Sequence, residues 1–219
     1  MAPISHNAFQ IRERIRFAAQ RVGRDPSAVS IVAVSKFHSV ERIREAAAAG
    51  MTIFGESRQQ EAQTKLPALK GLGEWHFIGN LQTNKAKDVV TLFDVVESVD
   101  SQRLGERLSS AAIELGKTLR IYAQVNISAE AQKHGFALEG AEQDISALGK
   151  LPGLTLEGLM GMAAVSEDPQ EARESFRALL KLRDRLEPGL KLSMGMSNDY
   201  EVAIEEGADL VRIGTALFA

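Results

Sequence analysis

KLSMGMSNDYEVAIEEGADLVRIGTAL, residues 191–217, holds two strand-like segments with a helical stretch between them. The first, KLSMGMS (191–197), ends in a serine that opens a helix. The second, LVRIGTAL (210–217), carries an arginine and then Gly214-Thr215. If these are adjacent parallel strands, their carboxyl ends form a phosphate cradle. It would comprise a hydroxyl, exposed backbone N–H groups and a helix N-terminus. In an eight-stranded α/β barrel the loops after strands seven and eight are a frequent phosphate site. The fold therefore turns on how many strands precede this pair.

Six do. Reading outward, strand signals occur in SIVAVSK (30–36), MTIFGE (51–56), EWHFIG (74–79), FDVVESV (93–99), RIYAQVNI (120–127) and LTLEGLMGM (154–162). Helical patterns lie between them at 39–50, 58–69, 84–91, 101–115, 139–149 and 169–186. Ser39 is placed to cap the first of these and Gly50 to end it. Strands alternating with helices imply a parallel sheet, and eight such units imply a closed (β/α)8 TIM barrel. The expected architecture is one barrel domain spanning residues 1–219. An extra N-terminal helix over 5–22 carries Ile11, Ile15, Ala18, Ala19 and Val22 as an apolar stripe. It could cover the position of the helix missing after the last strand. An open doubly wound sheet would want a Gly-rich first turn, and SKFHS stands there instead.

Composition narrows the chemistry. Lys and Arg number 26 against 29 Asp and Glu, a net charge of −3, so nothing points to nucleic acid or a membrane surface. The chain has no cysteine, which removes disulfides, thiolate nucleophiles and cysteine metal sites. His6, His38, His76 and His134 lack ligand spacing. No apolar run reaches membrane-span length, and the first residues form an amphipathic pattern with no signal-peptide core. The cytoplasm is the expected compartment.

Barrel active sites sit at strand C-termini. Those ends supply Lys36, Glu56-Ser57, Gly79-Asn80, Asn126, Met162, Ser197 and Arg212 with Gly214. Strand alternation puts Ser193, Gly195 and Ser197 on one face and Leu192, Met194 and Met196 on the other. The small face would line the lumen, and the methionines would pack under helices. Lys36 shares parity with Val32 and Val34. Inside the mouth, a desolvated lysine can form a Schiff base with an aldehyde. The plainer reading is a lysine reaching out to water. The phosphate cradle favours the first, since lysine plus phosphate site implies a phosphorylated aldehyde. Arg212 could face a ligand or brace the mouth through a salt bridge, for example with Glu56. Asn84-Lys85 at a helix start could cap or bind. Lys133 reads as solvated, and Glu41, Arg42, Arg44 and Glu45 as an exposed helix face.

Taken together these segments resemble the pyridoxal-phosphate homeostasis family of small barrel proteins, along nearly the whole chain. AVSK (33–36) is similar to the family's lysine strand. FGESRQQE (54–61) resembles its FGEN-x-x-QE segment, and HFIGNLQTNK (76–85) its HFIG-x-LQ-x-NK signature. GLMGM, LSMGMSND and VRIGTALF resemble its last three strands. The resemblance implies a single barrel of pyridoxal 5'-phosphate (PLP) fold type III, like the barrel domain of alanine racemases. It implies Lys36 as the Schiff-base lysine. It further implies Ser197 with the backbone N–H groups of Gly214 and Thr215 on the phosphate, and Arg212 toward the pyridine nitrogen. Asn84 and Met196 match family residues lining the site. Ser57 stands where the family has Asn, and the chain ends at Phe218-Ala219 where members often continue with a basic tail.

An always-charged arginine beside the pyridine nitrogen disfavours its protonation and weakens the ring as an electron sink. The implied function is to hold PLP and deliver it to apo PLP-dependent enzymes, with little catalysis. A monomer is expected. The competing readings are a fold-type III amino-acid racemase, which needs a second acid/base, and a sugar-phosphate barrel enzyme. The only tyrosines are Tyr122 and Tyr200.

Overall fold

The structure is a computed structural model that describes residues 3–128, 130 and 134–219. Lys133 lies outside the described residues. The chain begins with α1 (Ile4–Arg21), then β1 (Ser30–Val34), α2 (Val40–Ala48), β2 (Ile53–Glu56), α3 (Gln59–Lys65) and β3 (Glu74–Phe77). There follow α4 (Ala86–Leu92), β4 (Val95–Val99), α5 (Gln102–Glu114), β5 (Leu119–Asn126), β6 (Phe136–Ala137) and α6 (Ala141–Leu148). The last elements are β7 (Leu154–Gly161), α7 (Arg173–Leu186), β8 (Lys191–Ser193), α8 (Tyr200–Glu205), β9 (Leu210–Ile213) and α9 (Thr215–Phe218).

The strands pair in the order β4-β3-β2-β1-β9-β8-β7-β5-β6, all parallel, and β4 also pairs with β5. That last pairing closes the ring. Only β6 lies outside it, as a two-residue strand on the end of β5, Val125 opposite Phe136. The barrel is therefore the expected one, with β6 as an unforeseen addition.

Alternation divides each strand between two environments. Ala33, Phe54, Trp75, Phe77, Ile121, Leu192, Val211 and Ile213 point outward. They pack with Ile43, Val89, Leu104, Leu108 and Leu179 of the helices in the main core. Val32, Val95, Tyr122, Met160 and Leu210 form a separate cluster in the lumen. Tyr122 fits because Gly158 faces it; a Cβ there would lie 2.5 Å from the Tyr122 ring.

The N-terminal helix does cover the end of the barrel's last unit. Ile4, Ala8, Ile11, Ile15, Ala18 and Ala19 of α1 are buried. Asn7 Nδ2 donates to the carbonyls of Leu217 and Ala219, both at 3.1 Å. Arg14 and Arg21 pair with Glu201 and Glu205 of α8. Both arginines are at least half exposed, so these pairs add at most about 1 kcal/mol each. The apolar stripe, at roughly 1.5–3 kcal/mol per fully buried large aliphatic side chain, holds the helix.

Two expected elements are cut short. The helix over 58–69 ends at Lys65 and continues as a 3-10 turn, Leu66–Leu69, because Pro67 has no N–H for the ladder. The strand over 191–197 ends at Ser193. Gly195 has φ +92°, and a Cβ there would lie 2.6 Å from Ala203 Cβ, so the chain turns at a position suited to glycine. Met194 still packs outward in the core. Met196, past the turn, does not share its environment. No described helix is long and apolar enough to cross a membrane.

Candidate functional site

A cavity of about 680 Å³ opens at the carboxyl ends of the strands. Its wall includes Lys36, Met196, Ser197, Arg212, Gly214 and Thr215. Six of the seven residues singled out from the sequence thus meet in one place. Asn84 does not: it is exposed in the 3-10 turn Thr83–Lys85, after the β3 end that supplies Ile78 to the wall. Met196 lines the cavity because of the turn at Gly195, which corrects the expectation that it packs under a helix. Ser57, where the family pattern has Asn, is also in the wall.

Lys36 follows β1 in a turn at the mouth and is exposed, not desolvated in an apolar wall. Its ammonium makes no ion pair or hydrogen bond among the described residues. The turn itself is clamped from behind. Glu56 shares the outward face of Phe54, so it turns away from the lumen toward α3. There Lys65 Nζ meets Glu56 Oε1 and Glu61 Oε1, each at 2.7 Å. The same ammonium donates to the carbonyls of Ser35 at 3.1 Å and His38 at 3.4 Å. Ser35 Oγ donates to Glu56 at 2.7 Å, and the Phe37 N–H donates to Glu61 at 2.6 Å. Phe37 has φ +67°, rare for a bulky residue. The Arg58 guanidinium lies 4.7 Å from its ring centroid. Burial pushes the Glu56 carboxyl up despite Lys65 and Ser35. Glu61 resists its burial and is held low by Lys65 and the Phe37 amide.

Two strands round the ring from β1, past β9, Ser197 sits between β8 and α8. Its Oγ accepts from the Ala216 N–H at 3.3 Å, which brings the hydroxyl against the first turn of α9. Asp199 accepts from the Met196 N–H at 2.6 Å and fixes the intervening turn. Burial raises the Asp199 carboxyl, with that amide and Arg212 opposing. A Cβ on Gly214 would come 3.3 Å from Val34 Cβ, so glycine keeps this wall clear.

Arg212 forms part of the cavity floor and is only 4% exposed. It does not reach Glu56, because strand parity puts the two on opposite sides of the sheet. Its partners are lumenal. Nη1 donates to Ser193 Oγ at 2.7 Å and Nη2 to the Gly161 carbonyl at 2.9 Å. Burial lowers its proton affinity, with Glu97 and Asp199 opposing.

Behind it lies a polar file through the lumen that sequence reading did not anticipate. Ser193 bonds Glu97, Glu97 bonds His76, His76 bonds Glu74, and Arg120 bonds Glu74. Burial alone would strip the proton from His76, but bonds to Glu74 and Glu97 outweigh it and raise the ring to about 9. Glu74 is correspondingly lowered to about 2, first by its bond to His76. Glu97 is held low against complete burial by His76, Arg212 and Ser193. The signal was available: a charged residue sits within an apolar strand in VVESV, and Glu74 and His76 alternate with Trp75 and Phe77. The cavity also gains Phe37, His38, Ile78 and Val165, which motif reading passed over. His38 stacks on Phe218 at 4.2 Å between ring centroids.

The family model described as alanine racemase, N-terminal domain, matches residues 7–219. A pyridoxal phosphate homeostasis protein of Pseudomonas aeruginosa is 43% identical, covering 100% of this chain and 96% of the relative. A crystal structure of an unknown protein from Bifidobacterium adolescentis superposes with a TM-score of 0.93 at 33% identity, over 98% of this chain and 94% of that one. PipY of Synechococcus elongatus, solved with PLP bound, gives a TM-score of 0.79 at 36% identity, over 95% of this chain and 100% of that one. Full-length likeness at this identity places the chain in the pyridoxal phosphate homeostasis protein family, built on the alanine racemase N-terminal domain.

Proposed function

We propose that this chain binds PLP at the mouth of its barrel, holds it as a Schiff base on Lys36 and delivers it to apo-enzymes in the cytoplasm. The carrying observation is the meeting of Lys36, Ser197, Arg212 and the Gly214-Thr215 backbone in one cavity. The donor set suits the cofactor's three polar ends: an amine for an aldehyde, a hydroxyl with backbone donors for a phosphate, and a guanidinium for a ring nitrogen. The names of its relatives support the same reading.

PLP, when bound, supplies an electron sink for amino-acid chemistry. Lys36 would supply the amine that holds the cofactor's aldehyde as a Schiff base. The exposed position of Lys36 keeps that linkage open to exchange with an incoming amine. Arg212 keeps a fixed positive charge at the floor and discourages a proton on the ring nitrogen. Neither tyrosine is in the cavity wall: Tyr122 is buried in the lumen and Tyr200 in the outer core. That removes a tyrosine as the acid/base that a racemase would set facing Lys36.

Transfer tests it. Protein loaded with PLP should restore an apo PLP-enzyme in the presence of a scavenger that removes free PLP. Amino acids incubated with it in deuterium oxide should keep their Cα hydrogen. Rapid exchange at Cα, with no restoration, would favour the racemase instead.

A further inference from the structure

Arg212 is held by a relay whose direction is fixed by chemistry. A guanidinium can only donate, so Ser193 Oγ accepts from Arg212 Nη1 at 2.7 Å. The serine's own proton must then go to its other neighbour, Glu97 Oε2. Glu97 is fully buried, and its second oxygen meets His76 Nδ1 at 2.5 Å. Arg212 Nη1 and Glu97 Oε2 are 4.0 Å apart, beyond a direct hydrogen bond. Ser193 is thus the spacer that keeps guanidinium and carboxylate from closing on each other. His76 occupies the far side of Glu97, with its other nitrogen 2.6 Å from Glu74.

We propose that Ser193 and Glu97, backed by His76, are positioning residues that aim Arg212 at the ring nitrogen of the bound cofactor. This rests on the PLP reading and adds to it the device that orients the arginine. Without the serine hydroxyl, the shortest relaxation is for Arg212 to swing onto Glu97. The guanidinium then leaves the cavity floor, while Lys36 and the Ser197 region stay as they are. The predicted loss is recognition of the ring nitrogen alone.

The test compares PLP with its carbocyclic analogue, in which a C–H replaces the ring nitrogen. Dissociation constants are measured by fluorescence titration for the full chain and for Ser193→Ala and Ser193→Thr. The parent should prefer PLP by about tenfold or more, the worth of one charge-assisted hydrogen bond. Ser193→Ala should lose most of that preference by weakening PLP and leaving the analogue nearly unchanged. Ser193→Thr, which keeps the hydroxyl, should restore it. Equal weakening of both ligands, or an unchanged preference, overturns the positioning role. So does a parent that binds both ligands equally. Should Ser193→Ala not fold, Glu97→Gln is compared in the same way, with the same outcomes deciding. Failure of the parent to bind PLP at all would instead bring down the cofactor reading, and this inference with it.

Discussion

Val32 of β1 lies directly opposite Arg212 of β9 in the parallel register of the two strands. That pairing sets the depth of the site. Lys36 follows Val32 by four positions and stands at the mouth, while Arg212 lies at the floor. A ligand held by both must extend from mouth to floor along the lumen. In the proposed binding mode, Ser197 and the start of α9, which meet through the Ala216 N–H, would take its remaining polar end from the side.

Replacing Ser197 by Ala tests that third contact. The change removes one hydroxyl and leaves the backbone donors of α9. A hydrogen bond to a charged group is worth about 1.5–3 kcal/mol, so PLP affinity should fall roughly ten- to a hundredfold. Pyridoxal, which lacks the phosphate, should bind almost as before. Parallel loss for both ligands in a titration would mean that Ser197 does not meet phosphate.

The lumen should show itself in a pH titration. His76 is raised to about 9 in the folded chain, above the roughly 6.5 of an unfolded histidine. Its contribution to stability is therefore complete below about pH 6.5 and is lost as pH rises through 9. The gap corresponds to something on the order of 3 kcal/mol. Ring NMR should find His76 still protonated at about pH 7.5, with unfolding free energy declining above it. A midpoint near the ordinary histidine value would contradict the buried file of alternating charges.

The clamp behind Lys36 predicts a costly substitution away from the cavity. Lys65→Met removes the ammonium that joins Glu56, Glu61 and the carbonyls of Ser35 and His38. Breaking a buried pair by deleting one partner costs about 3–5 kcal/mol. Denaturant unfolding should show a loss of that size, and capture of PLP should slow because the turn bearing Lys36 loosens. A loss under about 1 kcal/mol would place this pair with ordinary surface pairs.

Much of this was legible in the chain before its structure. Strand and helix periodicity gave the eight-unit barrel, and strand parity put Val32, Val34 and Arg212 inside it. What stayed hidden depends on neighbours across the lumen. Ser193 and Glu97 are 96 residues apart and meet only because the ring closes. The pairing of Arg212 with Glu56 failed for the complementary reason: parity alone, applied to IFGE, places Glu56 beside Phe54 on the outer face. Met196 escaped its assigned face because Gly195 ends the extended conformation first. Asn84 matches the family signature in sequence, yet its turn lies beyond the wall.

Attachment through Lys36 is the central claim, and borohydride reduction tests it most directly. The protein incubated with PLP should turn yellow, lose its visible absorption on reduction and gain one reduced pyridoxyl-phosphate adduct. Peptide mass spectrometry should place that adduct on Lys36, and Lys36→Ala, still folded by circular dichroism, should show neither colour nor adduct. A Lys36→Ala protein that keeps the full spectrum, or an adduct found on another lysine of the parent, would contradict the account.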